Sequence, residues 1–199
     1  MTSRSSGQRK TLCDYKYPHP EGKAQAGYYR DARNAIARYH RNQCPPNWLK
    51  AQAELLAVNA NAATGQRRTR LNHNARALRA YERYFSSKQL VVLADLPFEL
   101  VFSGVHVTVA PDLHVQEDDR EKIIKLDFTV QEPDRELIRI VTQAMFEASE
   151  MAGLHLTSSC VLYYDLSSGE VFKGARMGSR TRAEITSACQ NIAAIWATI

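Results

Sequence analysis

The four cysteines of this chain, Cys13, Cys44, Cys160 and Cys189, never stand close enough to form a CxxC pair, so neither a zinc knuckle nor a disulfide scaffold is expected. A reducing, cytoplasmic compartment fits that usage. No apolar run is long enough to cross a bilayer, and the polar, basic stretch from Met1 to Lys10 has no apolar h-region, so neither membrane insertion nor secretion is expected. A Gly-rich phosphate loop, a Ser/His/Asp series and a Cys/His pair at an informative spacing are all missing, which removes P-loop and triad chemistry. Internal repeats are missing too, which removes solenoids and propellers.

What is present suits a domain of ordinary size: 199 residues, 44% of them hydrophobic, are enough for one core. The 26 basic residues exceed the 21 acidic ones, giving a net charge of +5 and a pI of about 9.1, which favours a polyanionic partner without requiring one. Residues 1–27 read as a basic flexible arm, Thr2 to Lys10, and a loop carrying Pro18 and Pro20. Residues 28–199 read as a single domain, with a helical cap and first core helix over 28–86 and a sheet core over 87–199.

In the cap, Tyr29, Ala32, Ile36 and Tyr39 recur at helical spacing, with Arg30, Arg33, Arg38 and Arg41 toward another side, and Pro45-Pro46 close the helix. The Ala-rich run Trp48 to Ala63 predicts a second helix, capped by Asn47 and stopped by Gly65. Gln66 to Arg70 then reads as a short basic loop before a third helix, Leu71 to Phe85. Beyond Ser87 the period shifts from 3.6 to 2. Strands are predicted at Leu90–Leu93, Phe98–Val101, Val105–Val109, Leu113–Val115 and Ile123–Thr129, with a hairpin loop at the acidic tip Glu117 to Glu121. A helix from Asp134 to Ala152, with Leu137, Val141, Ala144 and Ala148 on its apolar face, a hairpin around Ser167 to Glu170 and a last helix from Thr181 to Trp196 complete an α/β chain of the α+β kind.

The chemistry concentrates in Val105-His106-Val107-Thr108-Val109-Ala110-Pro111-Asp112-Leu113-His114-Val115 and in Lys122-Ile123-Ile124-Lys125-Leu126-Asp127-Phe128. Alternate residues of a strand share a face, so Lys125 and Asp127 point one way and Ile124, Leu126 and Phe128 the other, into the core. Pairing the two stretches through the acidic turn brings Asp112 near Lys125 and Asp127. Two carboxylates and an ammonium at one edge suit magnesium and would stabilise a developing phosphorane.

These stretches resemble the central hairpin of PD-(D/E)XK nucleases, especially the RecB type, in which Pro-Asp is followed on the adjacent strand by an acid-x-lysine. The resemblance in element order covers roughly Leu71 to Ile199. It implies a restriction-endonuclease-like core, a mixed sheet flanked by helices with an N-terminal helical cap. It also implies a metal-dependent phosphodiesterase site with Asp112 and Asp127 as magnesium ligands, Lys125 orienting the attacking water and Glu82 as a helical acid facing the metal. The pair stands reversed here, with Lys125 at the acid's place and Asp127 at the lysine's. Shifting the frame back by two pairs Ile123 with Lys125 and loses the second carboxylate, so the signature reads as degenerate and cleavage is expected to be lost.

Glu82 has a second reading, as the partner of a helix arginine. Gln143-Ala144-Met145-Phe146 resembles the family's Gln-x-x-x-Tyr motif only loosely, and His106 and His114 match no zinc spacing. Arginines cluster at Arg67, Arg68, Arg70, Arg76, Arg79 and Arg83, and again at Arg176, Arg180 and Arg182; such groups contact phosphates or simply face solvent. The expectation is a DNA- or RNA-associated protein acting by binding or within a nucleoprotein assembly. A magnesium-dependent nuclease and a protein–protein scaffold are the alternatives.

Overall fold

A computed structural model of the chain describes residues 3–17 and 27–199. The elements run α1 (Ser3–Lys16), α2 (Arg30–Arg41), α3 (Trp48–Asn61) and α4 (Gly65–Phe85), then β1 (Val91–Val92), β2 (Phe98–Phe102), β3 (Val105–Val109), β4 (Leu113–Glu117) and β5 (Arg120–Asp127). After them come α5 (Arg135–Met151), β6 (Val161–Asp165), β7 (Val171–Lys173) and α6 (Ser179–Trp196). The chain is α+β, as its change of period requires. The chain divides into two compact units, Tyr29–Phe98 with Val109–Met177, and a smaller one gathered from Met1–Tyr28, Glu99–Thr108 and Gly178–Ile199. A unit assembled from three distant segments leaves no mark in local periodicity.

In the larger unit a five-stranded sheet has the order β1-β4-β5-β6-β7. β4 and β5 pair antiparallel with Leu113 opposite Ile124, β5 and β6 pair parallel across the α5 connection, and β6 and β7 pair antiparallel. Asp118 and Asp119 alone make the β4–β5 turn, both at positive φ (49° and 58°), a conformation that aspartate tolerates and a two-residue hairpin demands. Behind the turn Glu117 takes Lys122 at 2.6 Å and Lys88 at 3.4 Å. Burial alone would raise its carboxyl, but the two lysines outweigh burial and hold it below its usual range.

One face of the sheet carries Leu113, Val115, Ile124, Leu126, Leu162 and Tyr164 into a core shared with Ile36, Leu49, Leu78, Tyr81 and Phe85 of α2 to α4. Phe85 stacks on Tyr164 with centroids 4.4 Å apart. Val161 and Tyr163 alternate to the opposite face, and α5 packs on that strand, so every residue of β6 is buried. Leu137, expected on the apolar face of α5, is 53% exposed. Ala144 and Ala148 are buried as expected, and the buried face also takes in Ile138, Thr142, Met145 and Ser149. Thr142 and Ser149 enter it because their hydroxyls donate to the carbonyls of Ile138 (2.9 Å) and Phe146 (2.7 Å), which a count of apolar residues overlooks.

Two stretches read as irregular are helical. Gln66 to Arg70 belongs to α4, the connection from α3 shrinks to Ala62–Thr64, and Gly65 (φ 55°) opens α4 where it was expected to stop α3. Arginine and glutamine favour helix, and nothing in that run opposes it. In the smaller unit α1 occupies much of the expected flexible arm. Its cations meet the carbonyl end of α6: Arg9 donates to the Thr198 carbonyl at 3.2 Å, and Lys16 to those of Trp196 and Ile199 at 3.1 Å each. Pro18 and Pro20, on which the loop reading rested, lie outside the described residues. The smaller unit also contains most of the β2–β3 hairpin, whose turn residues Ser103 and Gly104 both have positive φ.

His40 gives the core a pH dependence. Its Nε2 lies 2.8 Å from the Tyr81 hydroxyl, burial pushes its pKa down to about 4, and Glu117 only partly opposes this. The imidazole is neutral when folded and ordinary when unfolded, so stability is full above pH of about 6.5 and falls as pH drops toward about 4. Chemical denaturation should show about 2 kcal/mol lost between pH 7 and pH 5. His40→Gln should remove most of that slope; an unchanged slope would place the titration elsewhere.

Candidate functional site

Asp112 stands just before β4, where its backbone N–H donates to the Ile124 carbonyl at 2.9 Å. Its side chain is 3% exposed and fully engaged. Oδ2 accepts from the Leu126 N–H at 2.9 Å and meets the Lys125 ammonium at 3.0 Å, while Oδ1 meets Nε of Arg33. Arg33 reaches it from the first turn of α2 and lies over the Phe128 ring, 5.5 Å from its centroid. One carboxylate thus holds two cations and a backbone donor.

Asp127 follows on the face that alternation assigned to it, beside Lys125. Its Oδ1 accepts from the Thr129 N–H at 2.8 Å and its Oδ2 from the Tyr163 hydroxyl at 2.7 Å. The parallel register sets Lys125 opposite Tyr163 and Asp127 opposite Asp165. Burial raises the Tyr163 phenol first, and the hydrogen bond to Asp127 and the charges of Asp127, Asp165 and Asp112 raise it further, so it remains a proton donor. Asp165, 1% exposed, is committed to its own turn: it accepts from the Ser167 N–H at 2.8 Å and the Ser168 hydroxyl at 2.5 Å.

The contacts of Asp112 and Asp127 do not include Glu82. That residue is half-buried on α4, where its charge is felt by Tyr39 toward the other end of α2 from Arg33. Among the described residues no group of three or more His, Cys, Asp or Glu side chains is placed to hold a metal. A divalent cation at Asp112 would have to displace or sit against two bound cations, so the donor set as arranged does not fit magnesium. His114 is occupied at both nitrogens, by the Ala94 carbonyl (2.7 Å) and Glu121 (2.6 Å), and exposed His106 pairs with Glu99 at 3.0 Å. Gln143 is buried with its Oε1 unpaired among the described residues, beside a cavity of about 240 Å3 shared with Arg135, Phe172 and Lys173.

The arginines divide sharply. Because Gln66 to Arg70 is helical, Arg68 joins Arg76, Arg79 and Arg83 within about 80° of the circumference of α4 and along about 22 Å of its length. Arg67 and Arg70 point to other sides. The four stripe arginines have no ion-pair partner among the described residues; Arg68, Arg79 and Arg83 are exposed and Arg76 half-buried. In the second cluster, Arg176 has Glu150 at 3.8 Å and Arg180 has Glu184 at 2.8 Å, so both already face a carboxylate.

No protein-family model and no curated protein sequence matches the chain. The geometry alone therefore carries the functional reading. Arg33 and Tyr163, which complete the surroundings of the two aspartates, were missed because neither stands in a motif. The basic face of α2 and the alternation of β6 were their only signals.

Proposed function

We propose that this protein binds DNA or RNA through the phosphate backbone, on a PD-(D/E)XK nuclease-like core whose catalytic cluster has become a structural ion-pair network, and that it acts by binding or within a nucleoprotein assembly. The observation that carries the reading is the buried Asp112 carboxylate, neutralised by Arg33 and Lys125. The antiparallel pairing of the strand after Pro111-Asp112 with the strand bearing Lys125 and Asp127 supports the family resemblance. Reading the acid at Asp127 instead supplies a carboxylate, but puts Thr129, which has no amine, two residues on where the lysine would stand. Either frame leaves the signature incomplete.

The unpaired stripe on α4 supports the binding half of the proposal, since guanidinium contacts to phosphate need no metal and read no sequence. Purified protein should retain labelled single- and double-stranded oligonucleotides with an affinity that falls steeply as salt rises. The same samples with magnesium or manganese should show no cutting above a protein-free control. Metal-dependent cleavage abolished by Asp127→Asn would overturn the degenerate-site reading. Salt-independent or absent binding would favour the protein–protein scaffold.

A further inference from the structure

A cleft of about 450 Å3 opens beside Asp112, between one face of α2 and two short loops, residues 95–97 and 110–112. Arg33, Arg38 and Arg41 line it from the helix, with Asn34 and the small Ala37 between them; Pro97 and Pro111 stiffen the opposite wall. Two of the guanidiniums are already held in place. Arg33 is fixed by Asp112 and by the Phe128 ring, yet its terminal amino groups make no hydrogen bond among the described residues. Arg38 lies over the Trp48 ring, 5.6 Å from the centroid, and makes no ion pair among the described residues. Arg41 is 4.0 Å from Asp95, but both side chains are exposed, at 56% and 93%, so solvent screens that pair.

The charge count narrows the ligand. Arg33, Arg38 and Arg41 line the cleft with Asp95 and Asp112, and Lys125, outside the lining, adds its charge from behind Asp112, for a local excess of +2. A backbone diester brings one negative charge, whereas a phosphate monoester brings nearly two at neutral pH together with three acceptor oxygens. We infer that the α2 cleft is a pocket for a phosphate monoester, and, on the reading that the protein binds nucleic acid, for the terminal phosphate of a strand. The α4 stripe would then hold the chain of phosphates and the cleft its end.

The test compares short oligonucleotides of one sequence ending in a 5′-phosphate, a 3′-phosphate or hydroxyls only, with the corresponding nucleoside monophosphate and inorganic phosphate as competitors. One phosphorylated end should bind about tenfold more tightly than the hydroxyl-ended strand. The double variant Arg38→Ala/Arg41→Ala should bring that ratio to one while its thermal melt stays that of the parent, because both residues are exposed. Substituting the α4 arginines should weaken all the oligonucleotides and leave the ratio intact. A parental ratio of one, or a ratio that survives in the double variant, overturns the pocket. If no oligonucleotide binds at all, the nucleic-acid reading fails by itself. The pocket then stands only if the monophosphate or inorganic phosphate shifts amide resonances of α2 in the parent and not in the double variant, and it falls if neither does.

Discussion

Asp112→Ala is expected to lower the stability of the fold by about 3 kcal/mol, measured by chemical denaturation at neutral pH and low salt. The substitution strands two cations that the carboxylate now neutralises and leaves the Leu126 N–H without its acceptor. Arg33 and Lys125 are about a third exposed, so water recovers part of the loss and the lower end of the usual range for a broken buried pair applies. Asp112→Asn should fall between, keeping an acceptor for Leu126 but losing the charge. A carboxylate kept for a metal behaves in the opposite way: it is crowded by other acids, and neutralising it without metal costs little or stabilises. A neutral or stabilising Asp112→Asn would therefore count against the structural role of the network.

The second large effect concerns binding. Arg68→Ala/Arg79→Ala/Arg83→Ala should reduce affinity for oligonucleotides about 100-fold near 0.1 M salt and lessen the slope of log affinity against log salt by about 2 to 3. All three side chains are exposed, so the fold should tolerate the change. Arg76, half-buried on the same stripe, is a poorer probe because its substitution also removes packing. Arg176→Ala makes a useful control, since that side chain already has Glu150 within reach and lies off the stripe. Equal losses from the control and the triple variant would mean that general charge, and not the α4 stripe, does the binding.

Much of the site was legible before any tertiary contact was known. Strict alternation over Ile123 to Phe128 assigns Ile124, Leu126 and Phe128 to the core and Lys125 with Asp127 to the other face, because a one-residue slip would expose three large apolar side chains. The acidic tip Glu117 to Glu121 announces the hairpin, which the structure narrows to a two-residue turn at Asp118-Asp119 that sets Leu113 against Ile124. The same local grammar misplaced the start of α4 by treating arginines and a glycine as a loop. On α5 it found Ala144 and Ala148 but misplaced Leu137 and overlooked Thr142 and Ser149, because it weighed apolar character without asking which hydroxyls could satisfy themselves on the helix backbone.

The sequence therefore carried what repeats over a few residues: the α+β class, the β4–β5 hairpin, and the sharing of one face by Lys125 and Asp127. Tertiary structure decided what those residues touch. The approach of Arg33 to Asp112, the parallel pairing that brings Tyr163 to Asp127, and the gathering of three distant segments into a second unit all join residues far apart in the chain. Side-chain period reports only the direction of a residue relative to its neighbours. It is silent about the charge that arrives from another element, and it is the arrival of Arg33 that makes Asp112 the centre of a neutralised, buried ion-pair cluster.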